Sequence, residues 1–560
     1  MNKSAASIFA IALAASAAPL ALAPAAAAPA AKAPATLKGD ADAILKAAYP
    51  ANGPGAAAII TRNGKVVYTG ARGFADVEGR RAIGPNTVFQ LGSIAKQFTA
   101  AVILQLVDEG KVSLDDPLSK YFPDWPQPGA KATVRQLLNH TSGIRDYSKI
   151  PGWIQKNSDR QLGTAELMAL TKSLGSRAEP GAQWEYNNGG YAILGAIVEK
   201  VTGKSWFEAI DERIAKPLGL TTLSYASAAK GRLARRYAMR GDSMQPVEPI
   251  NMSIAGASGG LVASVADMAK WAEALHGGKV VKAAVYREMT SPAKLNNGST
   301  RPYGFGLHLR KLMGHRALDH GGAGRGIDTA SVYFPEDKLF VAVFANSDDL
   351  PSDASVVMRR LGALALGSPI PTFRAAEIDI KTVEPAFGVY KGERGPDMRF
   401  FARNGDYLLG RGDAELKLVP AGGDTFYSAD DGLTWIKLVR DAAGKQQLDL
   451  YGMQDVEPQR FVRTGALTAD AEVRVPLAVL ESYAGEYQTE TLAVSVRVEN
   501  GSLVMQAKGQ QPMPLRAVSA TDFMLDGNKM RVVFHPVDGK VDSFTLHRGA
   551  RELHGKRIAK

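Results

Sequence analysis

The chain contains no cysteine among its 560 residues. That excludes disulfides, thiolate metal sites, a catalytic thiol and lipidation of an N-terminal cysteine. Long apolar runs are also missing. Beyond the N-terminus no stretch approaches the roughly 18 uninterrupted apolar residues of a membrane-spanning helix, so no stable span is expected after removal of a leader. Clustered charge is absent as well. The net charge is +11, yet Lys and Arg are scattered, with no basic helix interleaved with aromatics, which argues against nucleic acid as a partner. No H-E-x-x-H or similar ligand cluster occurs, so neither a metal nor another cofactor is called for. With 45% hydrophobic and 22% charged residues, the composition is that of a globular protein too long for one core.

What is present begins with an export signal. Met1-Asn2-Lys3 is a positive start, Ile8 to Leu22 a short apolar segment, and A-x-A cleavage candidates follow between Ala23 and Ala31. Ser16 and Pro19 interrupt the apolar segment and make a membrane anchor the weaker reading. Residues 1–30 therefore read as a signal peptide, and the product as an exported protein, periplasmic or secreted. Its positive charge would raise encounter with anionic cell-wall material.

Residues 31–370 mix helical and strand signals. Ala56 to Ile60 and Val66 to Thr69 are β-type runs around Asn63-Gly64, a hairpin-turn dipeptide. Phe98 to Val107 suits a buried helix ended by Gly110, and Thr133-Val-Arg-Gln136 is a capping box. Tyr191 to Val201 repeats the helical pattern and stops at Gly203. Ser331 to Phe334 and Leu339 to Phe344 flank a second hairpin turn. After Pro371 the chain changes to short strand-like runs with almost no helical periodicity. These repeat at a spacing of about 96 residues: Phe387-Gly-Val-Tyr390 matches Tyr483 to Tyr487, Asn404-Gly405 matches Asn500-Gly501, Phe426 matches Phe523, and Gly444-Lys445 matches Gly539-Lys540. Two small antiparallel β-barrel-like domains are expected, over 371–470 and 471–560, closed because short sheets otherwise expose their edges.

Acyl transfer at a serine needs a nucleophile, a base in reach and donors for the oxyanion. Ser93-Ile-Ala-Lys96 supplies the first two, with serine at the first turn of a helix and lysine on the same face one turn on. Burial would favour the neutral amine. The S-x-x-K pattern alone is weak, since Ser227 to Lys230 and Ser291 to Lys294 also satisfy it. Only Ser93 opens a buried apolar helix. Tyr186-Asn-Asn188 places two polar side chains two residues apart, able to face one cleft in extended backbone. His320-Gly-Gly322-Ala323 precedes the second hairpin, where glycines permit close approach to a ligand. His276-Gly-Gly278 has the same tripeptide at a helix end and reads as structural. Gly256-Ala-Ser258-Gly-Gly260 satisfies the nucleophile-elbow pattern, but no hydrophobic parallel strand precedes it.

In this order the motifs resemble the class C β-lactamase and low-molecular-weight penicillin-binding-protein family. Ser93 to Lys96 stands as its S-x-x-K, and Leu137-Leu-Asn-His140-Thr-Ser-Gly143 is similar to its most recognisable structural turn. Tyr186-Asn-Asn188, Gly259-Gly-Leu261, Tyr303-Gly-Phe-Gly306 and His320-Gly-Gly322 complete the series. The resemblance implies an α+β domain of β-lactamase/transpeptidase type, an antiparallel sheet flanked by helices with a helical subdomain. It implies Ser93 as nucleophile, Lys96 and Tyr186 sharing base and acid duties, and substrate contacts from Asn188, His320 and Gly322. The oxyanion would lie between the backbone N–H groups of Ser93 and Ala323. His320 stands where the family usually has the lysine of K-T-G, which argues against strong β-lactamase activity, because histidine is largely neutral near pH 7. His-x-Gly and a tail of two barrels are similar to the D-aminopeptidases of the family. The implied activity is hydrolysis of D-amino-acid-containing peptides or amides. A carboxylesterase on the same fold and a non-catalytic binding or sensor protein are the alternatives.

Overall fold

The computed structural model describes residues 34–560, apart from 227–228, 230–231, 249, 394–395, 404, 413, 468–474, 491, 500, 526–529, 538–539, 549–550 and 559–560. The signal segment, the Ser227 to Lys230 pattern, the expected boundary near residue 470 and the repeat markers Asn404, Asn500 and Gly539 lie outside the described residues. No helix among those described is long and apolar enough to cross a membrane.

A six-stranded antiparallel sheet organises the N-terminal part. Its strands are β1 (Ala56–Arg62), β2 (Lys65–Arg72), β3 (His308–Leu312), β4 (His315–Gly324), β5 (Ile327–Phe334) and β6 (Leu339–Ala345), in the order β3-β4-β5-β6-β1-β2. The first and last parts of the domain thus meet at its centre, with Ala56 opposite Ala345 and Arg62 opposite Leu339. Both hairpin turns form as the sequence leads one to expect. Asn63 and Gly64 take positive φ, 50° and 70°, which a two-residue turn of this hand requires.

β6 is apolar throughout, and β1 is apolar from Ala56 to Ile60, because both faces are covered there. Successive side chains alternate between two cores. Ala57, Ile59, Phe340, Ala342 and Phe344 face one core with α2 (Lys96–Asp108), α3 (Asn188–Thr202) and α4 (Val265–His276). Ala58, Ile60, Val341 and Val343 face the other with α1 (Pro34–Ala48) and α5 (Ala354–Ala365). Phe98 of α2 stacks on Trp271 of α4 at 4.2 Å between ring centroids. The Thr133–Gln136 capping box is present in both directions, and Gly203 ends α3 in the left-handed conformation.

Two closed eight-stranded antiparallel barrels follow, from Gly388 to Gly465 and from Gly485 to Arg557. The internal repeat is visible in their cores. The Tyr390 hydroxyl donates to Ala386 O, and Tyr487 donates to Tyr483 O, four residues back in each case. Phe426 and Phe523 are buried in corresponding places. Each barrel is preceded by a short helix, Ile380–Val383 and Leu477–Tyr483, too brief to show a period in sequence. The first barrel docks on the N-terminal domain. Met313 N and Gly314 N, at the β3–β4 turn, donate to Met453 O and Gln454 O at 2.8 and 2.6 Å. Leu433 and Trp435 join the core under α5.

Replacing Phe98 by alanine removes the ring that joins α2 to α4 and is expected to cost about 3–5 kcal/mol. The check is the denaturant midpoint of the N-terminal domain, and an unchanged midpoint would refute that packing role.

Candidate active site

Ser93 lies in the 3₁₀ turn Gly92–Ala95 that runs directly into α2. One turn on, Lys96 is wholly buried. Its Nζ stands 3.1 Å from Ser93 Oγ, 2.8 Å from Asn188 Oδ1 and 3.0 Å from the Ser258 carbonyl oxygen. Burial lowers its pKa to about 7, partly opposed by the negative charge of Asp146. At that value an amine with two N–H groups and one lone pair is well populated at neutral pH. The Asn188 oxygen and the Ser258 carbonyl can only accept, so they occupy the two N–H groups. The lone pair is left for the Ser93 hydroxyl.

Tyr186 and Tyr191 enclose the same amine, with ring centroids 4.8 and 5.4 Å from Nζ. Burial raises the Tyr186 pKa, and the nearby Ser93 hydroxyl counteracts it. The two hydroxyls face each other without a fully formed hydrogen bond. Tyr186 owes its place to the Leu137–Gly143 turn. His140 O and Nδ1 accept from Glu185 N and Asn187 N at 2.9 and 3.2 Å, and Thr141 O accepts from Gly181 N at 2.7 Å. That segment braces the site and does not enter it.

The other wall is β4. Its partner β3 pairs only as far as Asp319, so His320–Gly324 is bonded to β5 alone and offers an open edge. The turn before Ser93 packs on the face of this stretch. A Cβ on Gly322 would lie 2.0 Å from Leu91 O, and one on Gly92, whose φ is +53°, would lie 3.0 Å from Gly322 Cα and 3.3 Å from Ala323 N. Only glycine at both positions lets the Ser93 and Ala323 backbones come this close. Gly306 does the same at the other side, its added Cβ meeting the backbone of Lys96 and Gln97 at 3.0 Å.

His320 is 3% exposed. Its Nδ1 lies 2.7 Å from Gly321 O, which can only accept, so Nδ1 carries the proton and Nε2 accepts from the Tyr303 hydroxyl at 3.0 Å. Burial and the neighbouring His308 and Lys96 hold its pKa well below the usual histidine range. It is a neutral member of the site wall, its ring 6.1 Å from that of Tyr186.

Ser93, Lys96, Tyr186, Asn188, His320, Gly322 and Ala323 are therefore brought to one place. Ser258 comes too, in a different capacity: its hydroxyl donates to Ala255 O at 2.6 Å while its carbonyl holds Lys96. His276 is stacked on Tyr333 at 4.0 Å, away from this cluster, and the Ser291 hydroxyl is tied to Arg287 O. Sequence reasoning missed Asp146, Ser148 and Tyr303 as individual contributors. Asp146-Tyr-Ser148 has the look of an Asx turn, and forms one, but nothing local says what that turn faces.

A family model described as Beta-lactamase matches residues 45–365. The D-aminopeptidase of Brucella anthropi is 30% identical over 319 residues, 57% of this chain and 60% of that protein. The D-aminopeptidase of Brucella canis is 31% identical over 320 residues, with the same shares. The chain thus spans about 60% of the length of the curated relatives it matches. The octameric penicillin-binding protein homologue from Pyrococcus abyssi aligns with a TM-score of 0.54 at 26% identity, over 77% of this chain and 99% of that one. The D-amino acid amidase from Ochrobactrum anthropi SV3 complexed with L-phenylalanine amide shares the fold, with a TM-score of 0.51 at 24% identity over 60% and 98% of the two chains. Since the matched residues are those that build the sheet, the flanking helices and the pocket around Ser93, this chain belongs to the Beta-lactamase family.

Proposed function

We propose that the protein is an exported serine hydrolase that works through an acyl-serine intermediate on D-amino-acid-containing peptides or amides. The observation that carries this reading is the buried Lys96, whose two carbonyl partners leave its lone pair to Ser93. Ser93 Oγ attacks the substrate carbonyl carbon as Lys96 Nζ takes its proton. The carbonyl oxygen, now negative, is met by the backbone N–H groups of Ser93 and Ala323. Collapse breaks the C–N bond, and the leaving amine receives the proton from Lys96 by way of the Tyr186 hydroxyl. A water then adds to the acyl ester, giving its proton to the same pair, and Ser93 leaves as the free hydroxyl. Asn188, with one amide N–H spent on Ser148, retains a second for a substrate carbonyl. The open edge of β4 can pair with an extended substrate backbone as an added strand.

The substrate class rests on two supports. The curated relatives at 30 and 31% identity are D-aminopeptidases. The neutral, enclosed His320 provides no cation for a substrate carboxylate, unlike a lysine, which suits amides and N-terminal residues better than C-terminal acids. Export rests on the first 31 residues alone, with their positive start, short apolar core and A-x-A sites.

Release of nitroaniline from D-alanyl-p-nitroanilide is expected to exceed that from its L-enantiomer, and Ser93→Ala is expected to lose at least ~10³-fold in turnover while remaining folded. Full activity in that variant would end the proposal, and turnover of a nitrophenyl ester alone would replace the amidase with an esterase. Because the amine is the active form of Lys96, kcat/KM should rise with pH through a midpoint near 7. A profile flat from pH 5 to 9 would remove Lys96 as the base. Cell fractionation with intact-mass analysis should find the protein outside the cytoplasm, beginning between Ala23 and Lys32. An uncleaved cytoplasmic protein would reject export.

A further inference from the structure

An asparagine amide turned by 180° exchanges its oxygen and nitrogen at little steric cost, so its orientation is set by its partners. At Asn188 those partners are not equivalent. Oδ1 accepts from Lys96 Nζ at 2.8 Å, and Nδ2 donates to Ser148 Oγ at 2.9 Å. Ser148 Oγ donates in turn to Asp146 Oδ1 at 2.9 Å. A carboxylate oxygen only accepts and a hydroxyl has one proton, so Ser148 must accept from Asn188. The chain from Asp146 to Lys96 has one direction.

Asp146 is itself pinned. It is 7% exposed, its Oδ2 accepts from Asn188 N at 2.8 Å, and its Oδ1 accepts from Ser148 N and Gly189 N at 2.9 and 3.2 Å. It sits at the positive end of α3, a 15-residue helix.

We infer that Asp146 and Ser148 are a positioning pair that locks the Asn188 carbonyl toward Lys96 and so keeps the amine's lone pair aimed at Ser93. This rests on the serine–lysine chemistry proposed above. With the amide reversed, Nδ2 would donate to the Lys96 lone pair and Ser93 would face an N–H group. Neither Asp146 nor Ser148 touches the reacting atoms.

Asp146 also acts on Lys96 as an anion that favours its charged form. The remaining groups around the amine are Tyr186 and Tyr191, both raised by burial, and the imidazoles of His140 and His320, both held neutral by burial. Beyond them the Lys149–Glu185 ion pair, 2.7 Å apart, lies at the rim. Orientation and charge are therefore separable by mutation.

The test uses the full chain with D-alanyl-p-nitroanilide, or p-nitrophenyl acetate if only esters are turned over. Ser148→Ala removes the orienting hydroxyl and keeps the charge. Its kcat is expected to fall on the order of tenfold, with KM within about twofold and the acid limb of the pH profile unmoved. Asp146→Asn removes the charge, so its acid limb should move to lower pH, because losing a nearby anion disfavours the ammonium form. Ser148→Thr keeps a hydroxyl and should recover most of kcat. A Ser148→Ala protein as fast as the unmodified one, or an Asp146→Asn protein whose kcat does not fall, overturns the inference. If Asp146→Asn does not fold, the two Ser148 variants decide. Ser93→Ala run in parallel tells the failures apart. Undiminished turnover there ends the serine–lysine chemistry, whereas Ser93-dependent turnover indifferent to Ser148 ends only the positioning role.

Discussion

The site is organised by the burial of one lysine. An ammonium ion removed from water is costly unless it is paired, and here no carboxylate touches Lys96. The cost is reduced by loss of the proton, which is why its pKa descends to about 7. Two acceptors then hold what remains and set where the lone pair points. Everything around it serves that burial. The core closes over α2, the Gly256–Ser258 turn supplies a carbonyl, and the start of α3 supplies the Asn188 amide. A lysine at the first turn of an otherwise apolar helix is an odd residue to bury, and its local chemistry makes sense only as that of an amine.

The second constraint is the distance between two backbones. The turn before Ser93 and the face of β4 at Gly322 come together because Gly92 and Gly322 have no Cβ to separate them. An edge strand is ordinarily a hazard for aggregation. In this domain the unpaired stretch is short, begins where β3 stops, and lies against the serine. His320 contributes by being uncharged and fixed. Its hydrogen bonds to Gly321 and Tyr303 turn it into part of the wall.

The two barrels are one design used twice, with the same tyrosine-to-carbonyl bond closing each core. The first is held at the turn between β3 and β4 and under α5. That contact is at the opposite end of β4 from Gly322.

Much of this architecture was legible in the sequence because it is local or periodic. The Asn63-Gly64 turn, the Thr133 capping box, the apolar stretch after Ser93-Ile-Ala-Lys96 and the roughly 96-residue repeat each follow from neighbours in the chain or from a regular spacing. The order of motifs was enough to name Ser93, Lys96, Tyr186, Asn188 and His320 together. What escaped were the cross-fold contributions that no motif carries. The Ser258 carbonyl lies 162 residues from Lys96 in sequence and acts through its backbone, which is chemically the same in every residue type. Asp146 and Ser148 work through Asn188, about 40 residues away, and Tyr303 through His320. Sequence by itself determined which side chains could do chemistry and which helix and strands would carry them. Only the tertiary structure decided how far burial lowers the Lys96 pKa and which acceptors surround its amine, because desolvation and hydrogen-bond partners belong to an enclosure and not to any one segment.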